Sequence, residues 1–337
     1  MPLPVNQPDL TAEFEPGMRV VVRHRTADGV TDALGDVSAV DAASLEVTTR
    51  RGPVRINRRS VLAAKRVPPR AVRRGRPHRA LSMTDLQELM VDGMPPLRSL
   101  WLGRWLLRES AGYTGRANSV LPIGDPGMPL SDALSYVEDW YATRGGVPLL
   151  QVFGPDDFVV ADDVVGGAAL AAGWTAFQRT LVMTASVAAL AGGVASTRLP
   201  TALQIGVQAH ATDDWWIGAM SREQAHRETA AAIFGLIPDG DYITLSLDSC
   251  VVAVGRIAYS PGWAGAFSVH VPAQHRGRGF AREVMAVAAR RAQARGIPSM
   301  YLQVSRSNTA AVRLYESLGF RSHHEYWYLR APSPTAR

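Results

Sequence analysis

The stretch Phe267-Ser268-Val269-His270-Val271-Pro272-Ala273-Gln274-His275-Arg276-Gly277-Arg278-Gly279-Phe280-Ala281 joins three local signals. Its first five residues close a strand predicted over 265–271, rich in β-branched and aromatic side chains. Pro272 stops that strand, and two glycines mark a turn. From Ala281 to Arg295 apolar residues recur among arginines, which predicts a helix. A strand, a glycine-bearing turn and a helix N-terminus together make an anion cradle. Backbone N–H groups converge there, and the helix dipole favours negative charge. Glycine lets the backbone approach a phosphate closely. Many nucleotide sites share such a turn, so alone it specifies none of them.

The residues downstream narrow the reading. About thirty residues on come Ser307-Asn308-Thr309-Ala310-Ala311, then Leu314-Tyr315, then Gly319-Phe320. With these in place the sequence resembles the GNAT superfamily of acyl-CoA-dependent N-acyltransferases. Arg276, Gly279 and Ala281 fit that family's pyrophosphate motif, Gln/Arg-x-x-Gly-x-Gly/Ala. Asn308, Leu314, Tyr315, Gly319 and Phe320 meet its later signature. The motif-bearing part runs from about Trp215 to Arg330. More loosely, the whole chain is similar to actinobacterial GNAT proteins with a small N-terminal barrel and an early Arg-Ala-Asn-Ser-Val segment, here Arg116–Val120.

The resemblance implies a set of roles. Val271, through its backbone N–H, and Val269 would bind the acetyl carbonyl and the pantetheine arm of acetyl-CoA. Arg276, Gly277, Arg278, Gly279, Phe280, Ala281 and Arg282 would hold the pyrophosphate. Asn308 would bind pantetheine, and Tyr315 would protonate the departing thiolate. Chemistry agrees: amine attack on a thioester creates an oxyanion that needs a fixed donor, and the thiolate needs a proton source. Read without the family, Tyr315 is an ordinary tyrosine on an apolar helix face. The base departs from the pattern. Related enzymes often place a Glu on the strand before Asn308, where this chain has Gln303, and an amide cannot take a proton. His270 has a suitable ordinary pKa; a water relay and an amine arriving neutral stay open beside it.

Outward toward the N-terminus, the chain alternates predicted helices and strands from Leu81. Helices are predicted over 83–92, 131–144, 163–172, 221–234 and 309–318. Strands are predicted over 101–108, 118–121, 149–153, 180–184, 300–304 and 324–329, with a hairpin over 242–259. The endings at Gly173-Trp174 and Gly319-Phe320 both read helix, Gly, aromatic, strand, at an offset of 146 residues, as either a duplication or a chance likeness of two such endings would leave them. Earlier still, four short valine-rich strands over 18–25, 35–40, 44–49 and 53–57 resemble an SH3-like barrel. The expected architecture is α+β, layered: an SH3-like β-barrel over 1–67, a basic linker over 68–80, a degenerate GNAT-like half over 81–195 and a catalytic GNAT domain over 196–331.

Composition sets outer bounds. The chain has 337 residues and a net charge of +6. Twelve of its 36 basic residues lie between Val47 and Thr84, a stretch without Asp or Glu, so the remainder is net acidic, 24 against 30. The positive field is therefore local. Residues 50–79 are either a solvated tether or a contact for nucleic acid or another polyanion; no aromatic is interleaved, so base stacking gets no support. A lone cysteine, Cys250, excludes an internal disulfide and any cysteine-cluster metal site. No apolar run approaches a membrane span, and the start lacks the features of a secretory signal, so a cytoplasmic setting is expected. Trp101, Trp105, Trp215 and Trp216 read as packing residues before pocket residues. His323-His324 lacks a ligand partner at metal spacing and reads as part of a surface strand.

The expectation is an acetyl-CoA-dependent N-acetyltransferase, with no metal, acting on a primary amine by direct attack in a ternary complex. The alternative is a non-catalytic acyl-CoA sensor that docks on nucleic acid or protein through the barrel and linker. Oligomeric state stays open, a homodimer included.

Overall fold

The computed structural model describes Thr11 and residues 14–26, 29–49, 52–67, 77–193 and 199–332. The chain divides into two compact units, 1–72 and 73–337.

The first unit is one antiparallel sheet. Its strands are β1 (Arg19–Thr26), β2 (Gly29–Val40), β3 (Ser44–Thr49), β4 (Gly52–Asn57) and β5 (Val61–Arg66), in the order β4-β3-β2-β1-β5. Alternation turns Val20, Val22, Val37, Leu45, Val47 and Ile56 into a shared core. Four strands match the sequence reading. The fifth was not foreseen, because only Val61 is buried and only Ala64 half-buried along it. β4 and β5 are unpaired edges, so the barrel-like sheet is not closed among the described residues. Of the basic run, Arg50, Arg51, Arg70, Arg73, Arg74 and Arg76 lie outside the described residues, as does most of the linker over 68–80.

The second unit begins with α1 (Met83–Val91), β6 (Arg98–Leu102), β7 (Trp105–Glu109), β8 (Leu121–Pro122), α2 (Leu130–Ala142) and β9 (Leu149–Gly154). It continues through α3 (Val164–Ala171), β10 (Thr175–Ser186), α4 (Val187–Gly193), β11 (Gln204–Gln208), α5 (Asp213–Gly218), α6 (Ser221–Ala225) and α7 (Arg227–Gly235). It ends with β12 (Gly240–Leu247), β13 (Cys250–Ser260), β14 (Trp263–His270), α8 (Phe280–Ala294), β15 (Ser299–Ser305), α9 (Thr309–Ser317) and β16 (Arg321–Arg330). The predicted strand over 101–108 is a hairpin, turning at Gly103 with φ 53°. The predicted helix over 221–234 is two helices, parted at His226 (φ −118°, ψ 33°).

Eight strands form one mixed sheet in the order β11-β12-β13-β14-β15-β10-β16-β9. α8 and α9 cover one face with Phe280, Val284, Ala288 and Tyr315. The other face carries an aromatic core that includes Tyr113, Trp215, Phe234, Phe267, Tyr301 and Tyr326. β10 runs antiparallel to both β15 and β16 and lies between them. The expected division at 195/196 thus passes through a single sheet, with β9 and β10 on its earlier side.

Candidate active site

Two neighbouring strands part in the middle of the sheet. β14 and β15 pair in parallel from Trp263↔Ser299 to Ala266↔Leu302 and no further. Beyond that point Phe267–His270 and Gln303–Ser305 diverge, which frees main-chain groups on both inner edges. On its other edge β14 carries a bulge. Arg256 faces Phe267 and Val254 faces His270, so Ser268 and Val269 together oppose Gly255. Ser268 has φ 49°, a left-handed conformation that a serine adopts at a cost. Trp215 Nε1 donates to the Gly255 carbonyl across from the bulge, at 2.9 Å. Trp215 and Trp216 are packed there as core, Trp105 lies in a separate core with Tyr141 and Leu150, and Trp101 is exposed.

The strand end leads into the glycine turn. Gly277 has φ 73° and Gly279 φ 86°, values that favour glycine. Gly279 is the N-cap of α8 and offers no side-chain cap. The first helical bond runs from Glu283 N–H to the Gly279 carbonyl. The N–H groups of Gly277 to Arg282 donate to no carbonyl among the described residues. That leaves a row of donors at a positive dipole end, as a pyrophosphate requires. Arg276 Nε donates to the Val271 carbonyl at 3.1 Å, and Arg282 Nη2 to Ser317 Oγ at 2.7 Å. Arg278 stacks on Phe280 at 5.2 Å. Val269 and Val271 pack toward the α8 side.

α9 supplies the two later residues. Asn308 Oδ1 accepts from Ala311 N–H at 3.2 Å, so this carbonyl serves as the helix cap. Tyr315 packs edge-on against Phe320, with ring centroids 5.9 Å apart. Its hydroxyl makes no hydrogen bond to a described residue. Burial pushes its pKa up to about 12, against a smaller downward pull from Arg116. Gln303 Oε1 accepts from the Tyr326 hydroxyl at 3.0 Å, a structural use of the amide.

His270 is half-buried just past the bulge. Burial and the neighbouring Arg276 charge lower its pKa, while Glu223 opposes them. The neutral imidazole is therefore favoured. Glu223, on α6, is fully buried and accepts from Ser268 Oγ at 3.1 Å. Tyr113 and Arg116 reach this region from the segment before β8. The Tyr113 hydroxyl is buried with no partner among the described residues, and Arg116 Nη2 lies 3.5 Å from the Gln303 carbonyl. Arg256 is sandwiched between Phe234 and Phe267, 4.6 and 4.4 Å from the two rings, and donates to the Gly93 carbonyl at 2.9 Å. Sequence reasoning missed Glu223, Tyr113 and Arg256. No motif marks them, and an Arg-Glu pair on a short amphipathic helix reads as solvent-facing. Arg116 was reached only through the resemblance of its segment.

The histidine pair corrects the reading of a surface strand. β16 lies between β10 and β9, and His324 is fully buried there. It belongs to a chain of hydrogen bonds whose sense a donor-only arginine fixes. Arg108 Nη2 donates to Gln151 Oε1 (2.9 Å), and Gln151 Nε2 to Gln87 Oε1 (2.8 Å). Gln87 Nε2 then donates to His324 Nε2 (2.8 Å), which puts the His324 proton on Nδ1. That proton is donated to His323 Nδ1 (2.8 Å), and His323 Nε2–H goes to the Leu81 carbonyl (3.0 Å). Burial, helped by His323, lowers the His324 pKa to about 3. Among the described residues no group of three or more His, Cys, Asp or Glu side chains could hold a metal, and no helix is long and apolar enough to cross a membrane.

Known proteins resemble this chain over most of its length. It is 28% identical over 327 residues to the Probable histone acetyltransferase Rv0428c of Mycobacterium tuberculosis, covering 94% of this chain and 96% of that one. It is 25% identical over 248 residues to the uncharacterized N-acetyltransferase YobR of Bacillus subtilis, covering 72% and 96%. A GCN5-related N-acetyltransferase from Kribbella flavida superposes with a TM-score of 0.53 at 16% identity, over 75% of this chain and 97% of that one. A tandem GNAT protein from the clavulanic acid biosynthesis pathway gives 0.53 at 12% identity, over 74% and 89%. The two structures share the fold, and the parted strands with the glycine turn before α8 occupy its centre here. A family model described as "Probable histone acetyltransferase Rv0428c C-terminal" matches residues 82–329, so the chain belongs to that family of GNAT acetyltransferases.

Proposed function

We propose that the protein transfers an acetyl group from acetyl-CoA to a primary amine, by direct attack in a ternary complex. The observation that carries this reading is the opening between β14 and β15 beside the turn at Gly277 and Gly279. A thioester arm fits between parted strands with free main-chain donors, and a pyrophosphate fits the N–H row at α8. Acetyl-CoA supplies an activated acyl group; the protein's residues do the rest. Val271 N–H and the backbone at Val269 hold the acetyl carbonyl and the arm. Residues 276–282 hold the pyrophosphate, and the outward amide of Asn308 remains free for pantetheine. His270, held neutral, takes a proton from the acceptor amine. Tyr315, held protonated, gives one to the thiolate. A sensor without catalysis would draw on Gln303, whose amide stands where relatives often carry a carboxylate; Tyr315 and His270 favour catalysis. The segment 96–190 has no Arg-x-x-Gly-x-Gly/Ala loop and is proposed to bind no CoA of its own.

Calorimetry tests the cofactor assignment. Acetyl-CoA should bind at one per chain, and Gly279→Trp should abolish binding, since it puts a bulky side chain at a positive φ beside the N–H row. Unchanged affinity in that variant, or a stoichiometry of two, would overturn the assignment.

A further inference from the structure

Glu223 is the buried carboxylate that the chemistry above leaves unused. Its Oε1 accepts from Ser268 Oγ at 3.1 Å and from Arg222 Nη2 at 3.2 Å. Its Oε2 is buried with no partner among the described residues. A carboxylate oxygen left unpaired away from water is costly to keep, so a group that satisfies it is expected. Ser268 is the residue at positive φ in the β14 bulge, which puts Glu223 against the part of the strand proposed to hold the acetyl group. The Glu223 charge also acts on His270, the proposed base, and on Tyr113, whose buried hydroxyl likewise has no partner.

We propose that Glu223 Oε2 receives the acceptor's ammonium group. This rests on the acetyltransferase reading and deepens it, because it assigns the acceptor to the alkylammonium class: an amine cationic at neutral pH, on an arm slim enough to reach a carboxylate below the surface. The ammonium nitrogen pairs with Oε2 and gives one proton to His270, which passes it to solvent. The freed lone pair forms the C–N bond as the C–S bond breaks. The thiolate takes its proton from Tyr315, and the phenolate recovers the second amine proton through water. The sum is amide, thiol and one released proton.

Two amines of different charge test this on the full chain, with thiol release from acetyl-CoA as the readout. Butylamine is a cation at pH 7 and needs the carboxylate; hydroxylamine is neutral there and does not. Glu223→Gln should lower kcat/KM for butylamine about 10²-fold or more and that for hydroxylamine no more than about threefold. Its acetyl-CoA affinity by calorimetry should stay unchanged. Glu223→Asp, which keeps the charge one methylene back, should lose less on butylamine and serves in its place if Gln disturbs folding. Equal losses on both amines overturn the proposal. So does full butylamine activity in Glu223→Gln, which would leave a water to satisfy Oε2, and so does wild-type protein that binds acetyl-CoA yet rejects butylamine. Wild-type protein that fails to bind acetyl-CoA overturns the acetyltransferase reading itself.

Discussion

Tyr315→Phe removes one hydroxyl and leaves the ring against Phe320. Folding and acetyl-CoA affinity should survive. Turnover should fall about 10²-fold, in kcat, because the proton is needed only as the thiolate departs. Wild-type turnover in a well-folded variant would move the acid role to another group or to water. The pH profile separates the two proton carriers. Tyr315, pushed up to about 12, stays protonated through the ordinary assay range. His270 must be neutral to act, and its pKa lies below the ordinary 6.5, so kcat/KM should fall only as pH drops below that value. His270→Gln should remove that limb; its persistence would assign the limb elsewhere. At this scale the sequence was informative where chemistry is local. Gly277 and Gly279 are set by their own φ angles, whereas Tyr315 was singled out only by the family resemblance that Asn308, Gly319 and Phe320 help to carry. Glu223 was illegible because its burial comes from packing between α6 and a strand 45 residues away.

Single elements were read well where apolar spacing or a β-branched run marks them, β13, β14 and β15 included, and poorly where little is buried, as along β5. α2, α8 and α9 announce themselves by apolar spacing. β16 is covered on both faces, so its histidines gave no period to read. They carry an acid-stability prediction. His324 titrates near 6.5 unfolded and is lowered to about 3 in the fold. Its neutral form therefore contributes stability that is fully present above pH 6.5 and is lost as pH falls toward 3. Between pH 7 and 5 the loss is about 2 kcal/mol. Protonation at Nε2 would also set two donors against each other at Gln87. The melting temperature should drop across that interval, and His324→Leu, less stable at both pH values, should drop less. Parallel slopes for the two proteins would sink the idea.

For the whole molecule, the alternation of helices and strands announced a layered α+β chain and the motifs placed its centre. Strand order was another matter, since sheet partners far apart in sequence leave no local trace. β10 separates β15 from β16, so residues 196–337 alone lack the strand that joins their last two. That fragment should fail to give a cooperative melt, and co-expression with 73–195 should restore one. A cooperative transition in the isolated fragment would contradict this. The same interposed strand sets a timetable for synthesis. β10 leaves the ribosome about 140 residues before β16, its partner on one side, and well before β15, its partner on the other. Until translation nears Arg330 the middle of the sheet has open edges, and loop closure over such distances is slow. A nascent chain thus cannot complete this sheet until β16 has been made, and for that interval it depends on whatever shields an unfinished sheet from its neighbours.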